Sequence, residues 1–371
     1  MRPAARPRRG RCCRAYGRSP SATGPRDCYG WRARKRSTSR CASGSKGLTY
    51  GYVTVGPWED TVPSQTELLL ELEPVVEANL NRHLGQATEW FPHEYVPWSA
   101  GRNFDGVLGG QPWEESQSAL SDVARTSLVV NLLTEDNLPS YHHEIATLFG
   151  RDGAWGTWVH RWTAEEGRHG IVLRDYLLAT RAVDPVALER ARMSHMSAGY
   201  ANAHDDDALH SIAYVSFQEL ATRISHRNTG RFSGDPVCEQ LLARVAQDEN
   251  LHMVFYRNLL AGAFDLAPNE TMRAVTDVVT TFSMPGTGIE NFGRKAAQIA
   301  LAGIYDLRIH HNEVLAPVLR HLRVLDRTGL SGDGERAREE LVEFLAGLDA
   351  NATRFEERRE ARRQRVEART G

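Results

Sequence analysis

The tightest constraint on this chain of 371 residues is a set of acids and histidines that occurs twice. Glu135 is followed 31 positions later by Glu166, with His169 three beyond it. Glu219 is followed 30 positions later by Glu249, with His252 three beyond it. Each half therefore reads Glu, one helix hairpin, then Glu-x-x-His. Residues three and four apart share one face of an α-helix. On that spacing Glu166 and His169 fall on a stripe with Trp155, Val159, Trp162, Leu173 and Leu177. Glu249 and His252 fall on one with Leu242, Val245, Tyr256 and Leu259. Glu219 lines up with Ile212, Val215, Thr222 and His226, and Glu135 with Leu128 and Leu132. Each glutamate thus stands where a core-facing residue belongs.

Burying an unpaired carboxylate is costly, and four on facing stripes repel one another. A compensating positive charge is required. Carboxylate oxygens and imidazole nitrogens suit iron or manganese. A Glu from each of two helices, with Glu-x-x-His from each of two others, is the donor set of ferritin-like di-metal carboxylate bundles. A single Glu-x-x-His is common as a solvated pair; two copies at matched spacing on apolar stripes are a different matter. The expected fold is all-α, a ferritin-like four-helix bundle core with additional flanking helices. Glu135, Glu166, His169, Glu219, Glu249 and His252 should meet at one interior point as metal ligands.

The rest of the chain fits that frame. Leu69, Leu72, Val76 and Leu80 predict a helix over Thr66–Leu84, with Pro74 marking a start or a kink. Trp90–Gly110 reads as loop, and long helical patterns follow from Ser118. Breaks are expected near Pro139, Gly150–Gly153, Asp184-Pro185, Ala203–Ala208, Gly230–Pro236, Ala267-Pro268 and Pro285–Gly288. No strand pattern persists. A charged helix is expected over Glu335–Arg369. His142, His143 and Glu144 read as surface or interhelical, and His310-His311 and His204–Asp207 as solvated. His226 reads as a hydrogen-bonded core histidine.

Charge divides the chain. Residues 1–50 carry 14 Lys/Arg and one acid, Asp27, against 31 basic and 46 acidic residues in the remainder. With almost no aliphatic side chains, this segment cannot bury enough apolar surface to fold alone. Residues 1–60 read as a disordered basic tail and 61–371 as the domain. A transit peptide, a basic nucleic-acid arm and a plain unstructured extension all fit the tail's composition; nucleic acid is not expected as a partner. Four of the five cysteines, Cys12, Cys13, Cys28 and Cys41, lie in it, leaving only Cys238 in the body and no disulfide framework. A reducing, cytoplasmic setting fits. No apolar run approaches the roughly 18 residues of a membrane span.

The ligand-bearing strings are TEDNLPSY (Thr134–Tyr141), WTAEEGRHG (Trp162–Gly170), SFQELATRISHRNTG (Ser216–Gly230) and DENLH (Asp248–His252). In these the chain resembles the acyl-[acyl-carrier-protein] desaturases, closer to their actinobacterial branch than to the plastid one, over roughly residues 61–360. The resemblance implies a center of two Fe ions that uses O2 and two electrons from reduced ferredoxin. It implies insertion of a cis double bond into an acyl chain held on acyl carrier protein, in fatty acid biosynthesis, by a homodimer. It implies the six ligands above, with Thr222 near the oxygen-binding face and Trp90, His169 and Asp248 on an electron route. Arg223, Arg227 and Arg231 are candidates for a basic patch facing the acidic carrier. The alternative on the same bundle is another carboxylate-bridged di-metal oxidase or a ferroxidase. Gly167 stands where the family usually has Asn, Asp136 where many members have Glu, and Met196–Asp207 is short.

A metal-bound histidine normally gives its other ring N–H to a carboxylate or carbonyl. Each Glu-x-x-His is preceded by an acid, Glu165 or Asp248, turned about 100° off its own helix's metal face and toward the neighbouring helix. The repeat then pairs Asp248 with His169 and Glu165 with His252, with Trp90 extending the Asp248 side. Pairing of both acids with arginines such as Arg168 and Arg244 is the competing arrangement.

Overall fold

A computed structural model describes residues 63–200, 207–286 and 288–370, with side chains to 368. These residues lie within one compact unit, Glu59–Gly371. The basic tail assigned to residues 1–60, with its four cysteines, and His204 lie outside the described residues.

The fold is all-α. Helix α1 (Gln65–Gln86) opens with a reciprocal cap: Glu67 N–H donates to Ser64 Oγ at 3.3 Å, and Ser64 N–H to Glu67 Oε2 at 2.9 Å. The helix runs through Pro74 rather than starting there, with the proline ring exposed and Leu68, Leu72, Val76, Leu80 and His83 buried on the other face. Four long helices follow the acid–histidine pattern: α2 (Asp122–Asp136), α4 (Gly153–Ala179), α6 (Ala208–Ser233) and α7 (Pro236–Leu266). Between them lie α3 (Leu138–Phe149) and α5 (Pro185–Ser197). After them come α8 (Pro268–Thr281), α9 (Phe292–Leu301), α10 (Leu307–Ile309), a π-helical turn at His310–Leu315, α11 (Ala316–His321) and the charged α12 (Gly332–Thr370). Among the described residues the one β interaction is an isolated bridge between Phe104 and Gln111.

The two halves differ in one respect from the simple repeat. α6 and α7 form a direct hairpin: Gly234 adopts φ 70°, ψ 5° after α6, and Asp235 caps α7 just ahead of Pro236. A left-handed glycine and an N1 proline are the usual stop and start signals. In the first half a whole helix intervenes. α2 ends at Asp136, and α3 begins at Leu138 with Pro139 in its first turn. The 31-residue gap therefore holds α3, not one hairpin turn.

Two apolar clusters fill the bundle. One gathers α1, α3, the first half of α4, α6, the second half of α7, α8 and the π-turn region, including Trp155, Trp158, Phe217, Phe255 and Phe264. The other holds Leu128, Leu132, Val172, Leu173, Tyr176, Leu241 and Val245 from the opposite ends of α2, α4 and α7. The polar pattern falls where they meet: Glu166 and His169 lie between Trp162 and Val172 on α4, and Glu249 and His252 between Val245 and Met253 on α7. One solvated assignment fails. His310 stacks on Phe282 at 4.9 Å, with the Tyr305 hydroxyl 2.9 Å from its Nδ1. Burial and neighbouring His311 push its pKa down to about 4. It is half-buried at the start of the π-helical turn, a departure from the helical period that a regular helical wheel does not anticipate.

α6 packs tightly against α7 at Gly230. A Cβ there would sit 3.1 Å from the Glu239 Cα and 3.2 Å from the Leu242 Cβ. Gly230→Leu should therefore force the hairpin apart and destabilise the protein by about 1–3 kcal/mol, read as a lower midpoint in chemical unfolding. An unchanged midpoint would show that the hairpin yields without strain.

Candidate metal centre

The six sequence-predicted donors converge inside the bundle. Glu135, Glu166, His169, Glu219, Glu249 and His252 are all buried, none more than 7% exposed. Their ligand atoms form two overlapping groups, each within 4.8 Å: Glu135, Glu166, His169 and Glu249, and Glu166, Glu219, Glu249 and His252. Glu166 and Glu249 belong to both. The histidines face the carboxylates with the same nitrogen. His169 Nδ1 lies 3.1 Å from Glu166, 3.5 Å from Glu249 and 3.6 Å from Glu135. His252 Nδ1 lies 2.7 Å from Glu166, 3.6 Å from Glu219 and 3.9 Å from Glu249.

The far ring nitrogens find the crossed acids. His252 Nε2 is 3.0 Å from Glu165 Oε2, and His169 Nε2 is 3.4 Å from Asp248 Oδ2. An ionised carboxylate can only accept, so each Nε2 donates to its crossed acid, while each Nδ1 faces the carboxylate cluster, His169 Nδ1 within hydrogen-bond distance of Glu166 Oε2 at 3.1 Å. The arginine pairing is present as well, not instead. Asp248 also accepts from Arg244 and, at 3.1 Å, from Arg168; Glu165 pairs with Arg161. Trp90 Nε1 donates to Asp248 Oδ2 at 2.8 Å, its ring nearly parallel to that of His169. Burial would raise Asp248, but hydrogen bonds from His169 and Trp90 hold it down to about 2.

Three supporting groups brace the donors, and of them only His83 was not on the stripes read from the sequence. Trp162 Nε1 donates to Glu219 Oε1 at 3.0 Å. His226, a core histidine as expected, sits with Nε2 2.8 Å from Glu135 Oε1 and Nδ1 3.3 Å from the Asn131 amide nitrogen. His83 of α1 places Nε2 2.9 Å from Glu165 Oε2. His83 was legible in principle, since it continues the buried stripe Leu72, Val76, Leu80 as its one ionisable member. Thr222 is buried one turn after Glu219, and its hydroxyl donates to the Glu219 carbonyl at 3.0 Å. Asp136 leaves the cluster and pairs with Arg192. Gly167 leaves α4 unbroken, and a Cβ there would make only ordinary contact with Leu138, 3.9 Å away. Of the candidate basic patch, Arg227 is engaged by Glu313 at 2.6 Å.

The donors fit a pair of metal ions on their own geometry. Glu166 Oε1, Glu219 Oε2, Glu249 Oε2 and His252 Nδ1 are buried without a hydrogen-bond partner. Glu166 Oε1 and His252 Nδ1 approach to 2.7 Å yet neither counts a hydrogen-bond partner. Burial, then repulsion from Glu166, Glu219 and Glu135, pushes the Glu249 carboxyl well above the usual range. Beside these groups runs a cavity lined by Leu138, Tyr141, Ile145, Leu148 and Val215 and floored by Glu135, Glu166 and Glu219.

The raised Glu249 pKa sets a sign for stability. A group whose folded pKa exceeds its unfolded value stabilises at low pH, and that contribution is lost as pH rises through the folded value. Metal-free protein should therefore lose thermal stability as pH climbs above the ordinary carboxylate range. Glu249→Gln should flatten that loss while lowering metal uptake. Melting curves of both chelated proteins across neutral and alkaline pH check this; parallel curves would refute it.

The model of the fatty acid desaturase family matches residues 64–370. DesA1 of Mycobacterium tuberculosis, assigned as an acyl-[acyl-carrier-protein] desaturase, is 51% identical over 82% of this chain and 92% of its own length. The chloroplastic acyl-[acyl-carrier-protein] desaturase 7 of Oryza sativa is 32% identical over 80% of this chain and 77% of its own. An X-ray structure of DesA2 from Mycobacterium tuberculosis, likewise assigned, aligns with TM-score 0.56 and 33% identity, covering 69% of this chain and 98% of that one. With its motifs, ferritin-like bundle and these likenesses in agreement, the chain belongs to the fatty acid desaturase family, on its actinobacterial side.

Proposed function

We propose that this chain is an acyl-[acyl-carrier-protein] desaturase that works with two bound iron ions. The observation that carries the reading is the convergence of six buried donors beside an apolar cavity. Glu135, Glu166, His169 and Glu249 would hold one ion, and Glu166, Glu219, Glu249 and His252 the other. Iron so bound supplies the O2 activation needed to break an unactivated C–H bond, which side chains alone do not provide. The balanced reaction takes two hydrogens from adjacent methylenes. With O2, two electrons and two protons it yields a cis alkene and two waters. Reduced ferredoxin is the proposed electron donor, and a homodimer the proposed assembly.

The chain's own residues account for the rest. Leu138, Ile145, Leu148 and Val215 exclude water and hold an alkyl chain against the carboxylate face. Asp248 and Glu165 fix the proton on each histidine's outer nitrogen and so keep the inner one free to bind. Thr222 is proposed for the oxygen-binding face, since its residue lines the cavity while its O–H proton is committed to the helix backbone. Trp90 and Asp248 are proposed to pass electrons toward His169 along their hydrogen bond. A ferroxidase would need no such cavity, so that reading is second.

Protein reconstituted with Fe(II) should hold two irons per chain. With O2, reduced ferredoxin and a panel of saturated acyl carrier protein thioesters, it should release an acyl chain lighter by two hydrogens on mass spectrometry. Glu166→Ala should abolish both iron retention and product. Iron oxidation without any acyl product would favour the ferroxidase. Asp248→Asn should keep most of its iron but slow reduction by ferredoxin in stopped-flow; a normal rate removes Asp248 from the electron path.

A further inference from the structure

The two sides of the centre are built alike by unlike residues. On one side Asp248 Oδ2 lies between the His169 ring nitrogen, at 3.4 Å, and Trp90 Nε1, at 2.8 Å. The Trp90 and His169 rings are inclined by 13° with centroids 6.4 Å apart. On the other side Glu165 Oε2 lies between His252 Nε2, at 3.0 Å, and His83 Nε2, at 2.9 Å. The His83 and His252 rings are inclined by 23° with centroids 5.8 Å apart. Both outer rings come from outside the four ligand-bearing helices, Trp90 from the segment after α1 and His83 from the last turn of α1. His83 is 1% exposed and is wedged edge-on against Trp158 at 5.0 Å.

We propose that His83 is a positioning residue for the His252 side of the centre, the counterpart of Trp90 on the His169 side. The proposal rests on the di-metal reading above. Its physical content is narrow. One oxygen of Glu165 serves two imidazole N–H donors at once, so His83 fixes where that oxygen stands. The oxygen in turn fixes the proton and plane of His252, whose Nδ1 faces Glu166 and Glu219. Without His83, Glu165 keeps Arg161, whose side chain is 40% exposed, and is free to follow that guanidinium toward the surface. His252 then loses its outer acceptor. The expected effect is larger at the His252 ion, because His83 touches neither Asp248, Trp90 nor His169; the two sides meet only through Glu166, Glu249 and Arg168, which lies 3.1 Å from Asp248 and 3.9 Å from Glu165.

The test uses Co(II) as a spectroscopic probe on the full chain, with a competing chelator to read affinity. Wild type should bind two Co(II) per chain. His83→Phe, which fills the space without the N–H, should keep one site near wild-type affinity. It should weaken the other by roughly 10–100-fold, as loss of an outer partner does, with a matching change in the Co(II) absorption bands. His83→Gln, which restores an N–H donor, should recover part of the loss. Trp90→Phe should weaken the opposite site. Wild type binding fewer than two Co(II) would sink the di-metal reading and the proposal with it. Wild type binding two while His83→Phe binds both normally, or loses both equally, would overturn the proposal alone. So would failure of both His83→Phe and His83→Leu to fold, since the residue's role would then be general support.

Discussion

The structure is organised around a layer of charge inside an apolar bundle. Four carboxylates and two imidazoles occupy the seam between two hydrophobic clusters, at the middle of α4 and α7. In a medium of low dielectric such a layer is self-repelling unless cations enter it. The raised carboxyl of Glu249 is where that repulsion surfaces in the bare protein. The apolar clusters on both sides prevent relief by solvation. The bundle is therefore held by its packing and kept receptive by its polar seam.

Around that seam, each imidazole of the cluster is handed a carboxylate from the opposite helix, and each of those carboxylates is braced by a ring and by guanidinium groups. His226 does similar work for Glu135, with Asn131 behind it. Trp162 does it for Glu219. None of these groups moves far without disturbing a buried charge, which is why the site can be placed to within hydrogen-bond tolerances on helices up to 31 residues long.

Much of this was legible because helices impose a period. Glu135, Glu219 and the two Glu-x-x-His pairs could be assigned to one interior face from spacing alone, and the crossed role of Glu165 and Asp248 followed from a single helical turn's geometry. What escaped was whatever depends on another element's path. The breaks at Pro139 and Gly150–Gly153 bracketed α3, but the matched spacing of the two halves suggested one hairpin in each and hid the fact that the first carries an extra helix. His310 looked solvated, yet at the start of a π-turn it stacks on Phe282. His83 looked like one more residue at the end of an amphipathic helix, since nothing in the sequence tells which partner waits at that depth.

The break at Asn137 separates two jobs within one stretch of chain. Glu135 closes α2, and the very next helix supplies Leu138, Tyr141, Ile145 and Leu148 to the cavity wall. A continuous helix would have tied the donor and the wall to one rigid rod. With the interruption, α3 can be reshaped, retilted or resized while Glu135 stays anchored by His226. The depth and contour of the cavity can thereby change with about three turns of helix while the donor beside it stays in place.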